Sequence, residues 1–91
     1  MIFEWDENKS RINLKKHGVS FDEAMTFFGD PLSVTVADPE HSVDEYRFVD
    51  IGLSDKIRLL VVAYTERGNH IRIISSRMAL PAERTMYEKG D

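Results

Sequence analysis

The sequence predicts an α+β fold of two layers: an antiparallel sheet of four to five strands, with two N-terminal helices and one C-terminal helix packed against it. Three observations carry that expectation. Two helix caps and a glycine stop lie close together at the front of the chain. Four later segments alternate or run apolar and are joined by short links, which favour antiparallel neighbours. A proline then opens a last helical pattern at a permitted first-turn position. Helices on one face would bury the apolar side of the sheet and leave the other side open.

The elements follow in order. Residues 2–5, Ile-Phe-Glu-Trp, are short, aromatic and alternating, as suits an edge strand. Asp6 is a good N-cap, but Lys9 stands where a capping box places Glu, so the cap alone is expected. The helix runs to about Lys16, with Ile12 its clearest apolar position. Lys15, Lys16 and His17 favour the negative end of its dipole, and Gly18 is the expected stop. Ser20 caps a second helix, and Glu23 completes a Ser-x-x-Glu capping box. Phe21, Ala24, Met25 and Phe28 form its buried stripe, and Gly29-Asp30-Pro31 ends it.

Residues 32–36 alternate as a strand, 37–42 form a polar loop, and 46–52 form the next strand. A turn at 53–56 leads to residues 58–64, apolar on both faces and therefore central. Residues 65–69 are a hairpin loop with Gly68 available for positive φ. The last strand, 71–77, leads to the helix that opens at Pro81, where Arg84 and Tyr87 share one side. In a regular strand Arg72 and Arg77 point to opposite faces. A bulge at Ser75-Ser76 would bring them together, or Arg77 belongs to the turn before Pro81.

Ninety-one residues are expected to form a single domain, 1–91. The absence of cysteine removes disulfides and thiolate chemistry and fits a reducing cytoplasm. The acidic, mixed N-terminus does not read as a signal peptide. The longest apolar run, residues 59–64, is far too short to span a bilayer. A net charge of −4 is the wrong sign for a protein whose main task is to bind nucleic acid. The charge is uneven, however. Residues 20–55 hold nine acids and one cation, whereas 56–77 hold five cations and one acid. A local basic patch steers phosphate whatever the total charge.

Few motifs carry chemistry. His17, His41 and His70 are far apart, and Asp38-x-Glu40-His41 is explained as well by a polar loop as by weak cation binding. No glycine-rich phosphate loop or serine elbow is present. The arginines remain: Arg47, Arg72 and Arg77 on strands, Arg58 and Arg67 at strand ends, Arg84 on the last helix. Arginine forks match phosphate geometry. Metal-free RNA cleavage needs a positioned backbone, a neutralised pentavalent phosphorus and an acid for the leaving oxygen. The arginines suit the first two tasks, and Lys16, His17 or Tyr87 the third. The same arginines also suit pairing with the abundant acids, or snorkelling at sheet edges.

Several blocks together resemble the BrnT family of bacterial toxins: Phe3-Glu4-Trp5-Asp6-x-x-Lys9, Asn13-x-x-Lys16-His17-Gly18-Val19-x-Phe21-x-Glu23-Ala24, Phe28-x-Asp30-Pro31, Glu45-x-Arg47, Ile51-Gly52, and Arg72-Ile73-Ile74-Ser75-Ser76-Arg77-x-Ala79-x-x-x-Glu83-Arg84-x-x-Tyr87-Glu88. The resemblance covers nearly the whole chain. It implies a RelE-like fold and a toxin of a type II toxin–antitoxin system that cleaves RNA, halting translation and growth. It also implies a BrnA-like ribbon-helix-helix antitoxin as partner, with operator DNA reached only through that antitoxin. By similarity the RNA-facing residues include the strand arginines Arg47, Arg72 and Arg77, and Arg84 of the last helix is added to them. The enzyme expected is a cytoplasmic, metal-independent endoribonuclease that uses no cofactor and gives a cyclic phosphate end. The alternative is a non-catalytic module that binds and co-regulates a DNA-binding antitoxin.

Overall fold

The computed structural model describes residues 1–36 and 47–90. The elements are β1 (Ile2–Glu4), α1 (Glu7–His17), α2 (Phe21–Thr26), a 3-10 turn (Phe27–Gly29), β2 (Val34–Val36), β3 (Arg47–Leu53), β4 (Leu59–Arg67), β5 (His70–Met78) and α3 (Pro81–Lys89). The strands form one sheet in the order β1-β5-β4-β3-β2. All pairs are antiparallel except β1 with β5, which is parallel. That exception follows from connectivity: two helices and three strands intervene, so β1 is free to enter in either direction. The polar loop at 37–42, with its weak cation candidates Asp38, Glu40 and His41, lies outside the described residues.

The α+β class and the three helices are as expected. Asp6 caps α1 by accepting from the Lys9 amide at 3.0 Å, and Gly18 ends it at φ 70°. Ser20 caps α2 by accepting from the Glu23 amide. The Glu23 carboxylate does not return to the cap as the sequence reading held. It is buried, accepting from Ser54 Oγ and from the Arg58 guanidinium, which also reaches the Gly18 carbonyl. A buried carboxylate needs charged donors more than it needs a cap amide. Arg58 is thereby a structural residue. It holds the Glu23 carboxyl below the usual glutamate range.

Alternation divides the sheet into two faces. Leu60, Val62, Tyr64, Ile71 and Ile73 pack under α2 with Val19, Phe21, Ala24 and Phe27. Val34, Ile51, Leu59 and Val61 form a second cluster with Ala79 and Tyr87. Val61 and Ile51 are register partners, as are Val62 and Asp50, so the two clusters lie on opposite faces. Hence α3 covers one end of the face expected to stay open. Its anchors are polar: Tyr87 donates to Asp30 at 2.6 Å, and Arg77 donates twice to Glu83 at 2.8 and 2.7 Å. Arg77, Asp30 and Glu83 are far apart in sequence or on different elements, so periodicity alone does not reveal the pairing.

Two further expectations are corrected. Ile12 is 64% exposed, and the buried residue of α1 is Asn13. The Asn13 amide donates to the carbonyls of Val19 and Ser76 and accepts from the Ser76 amide. It thus takes the place of a neighbouring strand where β1 has ended, and α1 is clamped along the β5 edge. The β4–β5 hairpin is also tighter than expected. Both strands run to a two-residue turn at Gly68-Asn69, with Gly68 at φ 57°.

Candidate nucleic-acid interface

The β4–β5 register shifts between Ala63 and Tyr64: Ala63 faces Ser75, while Tyr64 faces Ile73. Ile74 is the extra residue of a bulge, one position before the expected site. Its consequence is geometric. Arg72 pairs across from Thr65 and Arg77 from Val61, both on the α3 face, so the extra residue restores the alternation that would otherwise separate them. The bulge brings the two arginines to one face but not to one place. Thr65 and Val61 are four residues apart on β4, about 13 Å at 3.3 Å per residue.

Arg72 shares its row with Arg47. In register across four strands stand Glu4, Arg72, Thr65 and Arg47. Arg47, Arg72 and Arg67 meet Lys9 of α1 around a cavity of about 140 Å³, with Thr65 and Ile74 completing its lining. Among the described residues its lining is four cations, a threonine and an isoleucine. The nearby Asp6 carboxylate is held below the usual range, chiefly by the Lys9 amide, with the Lys9 and Arg72 charges adding to the effect. The other two predicted residues lie elsewhere. Arg77 is bound by Glu83 beside α3, and Arg84 is exposed on α3 itself.

A second cavity of about 220 Å³ adjoins the first, and Lys9 and Ile74 line both. Its far wall is α1, where Ile12, Asn13, Lys16 and His17 follow Lys9 at helical spacing on one side. Of the three residues suited to protonate a leaving oxygen, Lys16 and His17 therefore face the groove. Tyr87 does not. It is held by Asp30 among the Val34–Ile51 cluster, and that hydrogen bond pushes its hydroxyl up to about 12. Lys9 and Glu4 are the residues that sequence reasoning missed, and Arg67, read only as one arginine at a strand end, joins the cavity. Lys9 had read as a failed capping position, whereas the clamp at Asn13, one turn later, turns it onto β5. Glu4 carried no signal before the parallel β1–β5 register was known.

Among the described residues no group of three or more His, Cys, Asp or Glu side chains could hold a metal ion. Nor, among them, is any helix long and apolar enough to cross a membrane. No curated protein matches the chain. The crystal structure of the ribonuclease toxin BrnT from Brucella abortus has the same fold, with a TM-score of 0.67 and 23% identity over 88% of this chain and 99% of that one. The family model for the ribonuclease toxin BrnT of type II toxin–antitoxin systems matches residues 5–83. The sheet, the clamped helix and this match over most of the length lead to one conclusion: the chain belongs to the BrnT family of type II toxin–antitoxin toxins.

Proposed function

We propose that this toxin is a metal-independent endoribonuclease and that the cavity between Lys9, Arg47, Arg67 and Arg72 holds the scissile phosphate. The observation that carries the reading is the convergence of four cations from four elements on one cavity. In the proposed step the 2′-oxygen attacks the adjacent phosphorus and the bond to the 5′-oxygen breaks, leaving a 2′,3′-cyclic phosphate and a 5′-hydroxyl. Arg47 and Arg72 neutralise the charge that develops on the phosphorane oxygens, where preorganised donors have their largest effect. Glu4, beside Arg72 in register, is the base for the 2′-hydroxyl proton. Lys9, common to both cavities, is the acid for the leaving oxygen. Arg77 braces α3 rather than touching RNA, and Arg84 has no part in the cavity.

Cleavage of cytoplasmic RNA would arrest translation and growth. The antitoxin is proposed to be a BrnA-like ribbon-helix-helix protein, and contact with operator DNA is left to it. The net charge of −4 supports that division, because duplex binding needs cations spread over a surface rather than gathered in one groove. Induced expression in bacteria tests the reading. Wild type arrests growth and leaves cyclic phosphate ends, while Arg72→Ala and Glu4→Gln do neither. Growth arrest that survives Arg72→Ala, or wild-type expression without RNA cleavage, contradicts it.

A further inference from the structure

The second cavity has features that phosphate binding does not explain. Ile12 is 64% exposed on the side of α1 that also carries Lys9 and Lys16. Such exposure for a large apolar residue, on the side facing the sheet edge, is not core packing. Ile74, on the opposite wall, is the unpaired residue of the bulge. A bulge costs ladder hydrogen bonds and re-aims one side chain, and here that side chain lines both cavities. Two isoleucines thus make an apolar floor immediately beside the four-cation cavity, with Lys16, His17 and Ser75 at its rim.

Resting on the nuclease reading above, we infer that this second cavity is a nucleobase pocket, which seats one unpaired base next to the scissile phosphate and favours guanine. The flat face of the base covers Ile12 and Ile74, removing exposed apolar surface from water. The rim decides the edge. The Lys16 ammonium donates and never accepts, so it favours a base that presents adjacent acceptors, and guanine offers O6 and N7 together, while the Ser75 hydroxyl on the same rim can serve as either donor or acceptor. Adenine is read most often by an amide, and the one amide here is already used. Asn13 spends both its donor and its acceptor on Val19 and Ser76. A base buried in this pocket cannot also be paired, so the substrate is a single strand or a loop.

The test uses the purified protein and short 2′-O-methyl oligoribonucleotides, in which the attacking hydroxyl is blocked. One of the four bases is placed in a uridine background, and dissociation constants are compared. Wild type binds the guanine-containing strand most tightly. Ile12→Ala weakens that strand about five- to tenfold, the loss expected when the base no longer covers an aliphatic side chain. Because Ile12 is exposed and alanine is the better helix former, its melting temperature does not fall. Lys16→Ala abolishes the preference for guanine. Arg72→Ala weakens all four strands equally. Overturning results are a wild-type preference for another base, or Ile12→Ala and Lys16→Ala proteins that bind all four strands as wild type does. In the latter case a loss confined to Arg72→Ala leaves the phosphate site standing and removes only the pocket. Failure of wild type to bind any strand or cut any RNA removes both.

Discussion

At the scale of single residues, the four predicted arginines separate by what surrounds them. Arg72 and Arg47 flank Thr65 in one row, while Arg77 meets both oxygens of Glu83. Arg77→Ala should therefore act on stability and Arg72→Ala on chemistry. The Arg77 side chain is 38% exposed and that of Glu83 21%, so solvent screening limits the loss for Arg77→Ala to about 0.5–1 kcal/mol. Thermal denaturation reads that loss, and an unchanged melting temperature for Arg77→Ala would place its role elsewhere. Asp50 gives a second residue-level test. It is buried and accepts from Tyr64 at 2.8 Å, and burial raises its pKa above the ordinary 3.8, with the Tyr64 and Thr35 hydrogen bonds opposing. A carboxyl whose pKa is raised on folding binds more protons folded than unfolded, so its contribution to stability declines as pH rises from 3.8 through the raised value. Asp50→Asn should raise the melting temperature at pH 7 and change it little below pH 3.8. Glu23, Glu83 and Asp30 act with the opposite sign. Their lowered pKa values stabilise the fold above 4.5 for the glutamates and above 3.8 for Asp30, and that stabilisation is lost as acid protonates them. Acid unfolding should thus be little changed by Asp50→Asn but begin at higher pH in Glu83→Gln.

At the scale of elements, local signals were legible and long-range ones were not. The caps at Asp6 and Ser20, the glycine stop at Gly18 and the two-sided apolar run of β4 follow from nearest-neighbour chemistry, which a sequence displays directly. The inward turn of Asn13 is different. An asparagine in a polar helix reads as surface, and only the end of β1 beside β5 creates backbone groups for it to satisfy. The face that α3 occupies and the position of the bulge depend in the same way on residues distant in the chain. Asn13→Ala should leave three buried backbone groups without their partner, at a cost of about 2–3 kcal/mol. At roughly 4–8 °C per kcal/mol for a domain of this size, that is a large fall in melting temperature. It should also loosen Lys9 and Lys16 from β5, so the rate of RNA cleavage falls more than for Ile12→Ala. The β3–β4 turn supplies a contrasting case. Ile57 has φ 59° and is 80% exposed, a conformation that costs a branched residue about 1–2 kcal/mol. Ile57→Gly should raise the melting temperature, since no packing is lost to offset the relief; a fall would show that the turn is held by contacts of the side chain.

At the scale of the whole molecule, the fold separates stability from chemistry. One face of the sheet is closed by α2, one end of the other by α3, and the remaining end joins the edge helix α1 in a cationic groove. A chain of net charge −4 can thereby present a local positive potential while its other surfaces repel nucleic acid. The family resemblance was visible in the sequence because its blocks fall on the capped helices and on β5, where local chemistry is strict. Which arginines share a face and a row with Arg47 was not visible, because that depends on a register shift. The most direct test of the account is the cleavage rate of a short RNA by purified wild type and Arg72→Ala, measured in the presence of a metal chelator with analysis of the 3′ ends. The account predicts 2′,3′-cyclic phosphate from wild type, and a rate at least about 10²-fold lower for the variant, the usual loss when one charge-stabilising donor is removed. Equal rates for the two proteins, or cleavage that stops when metal is removed, would contradict it.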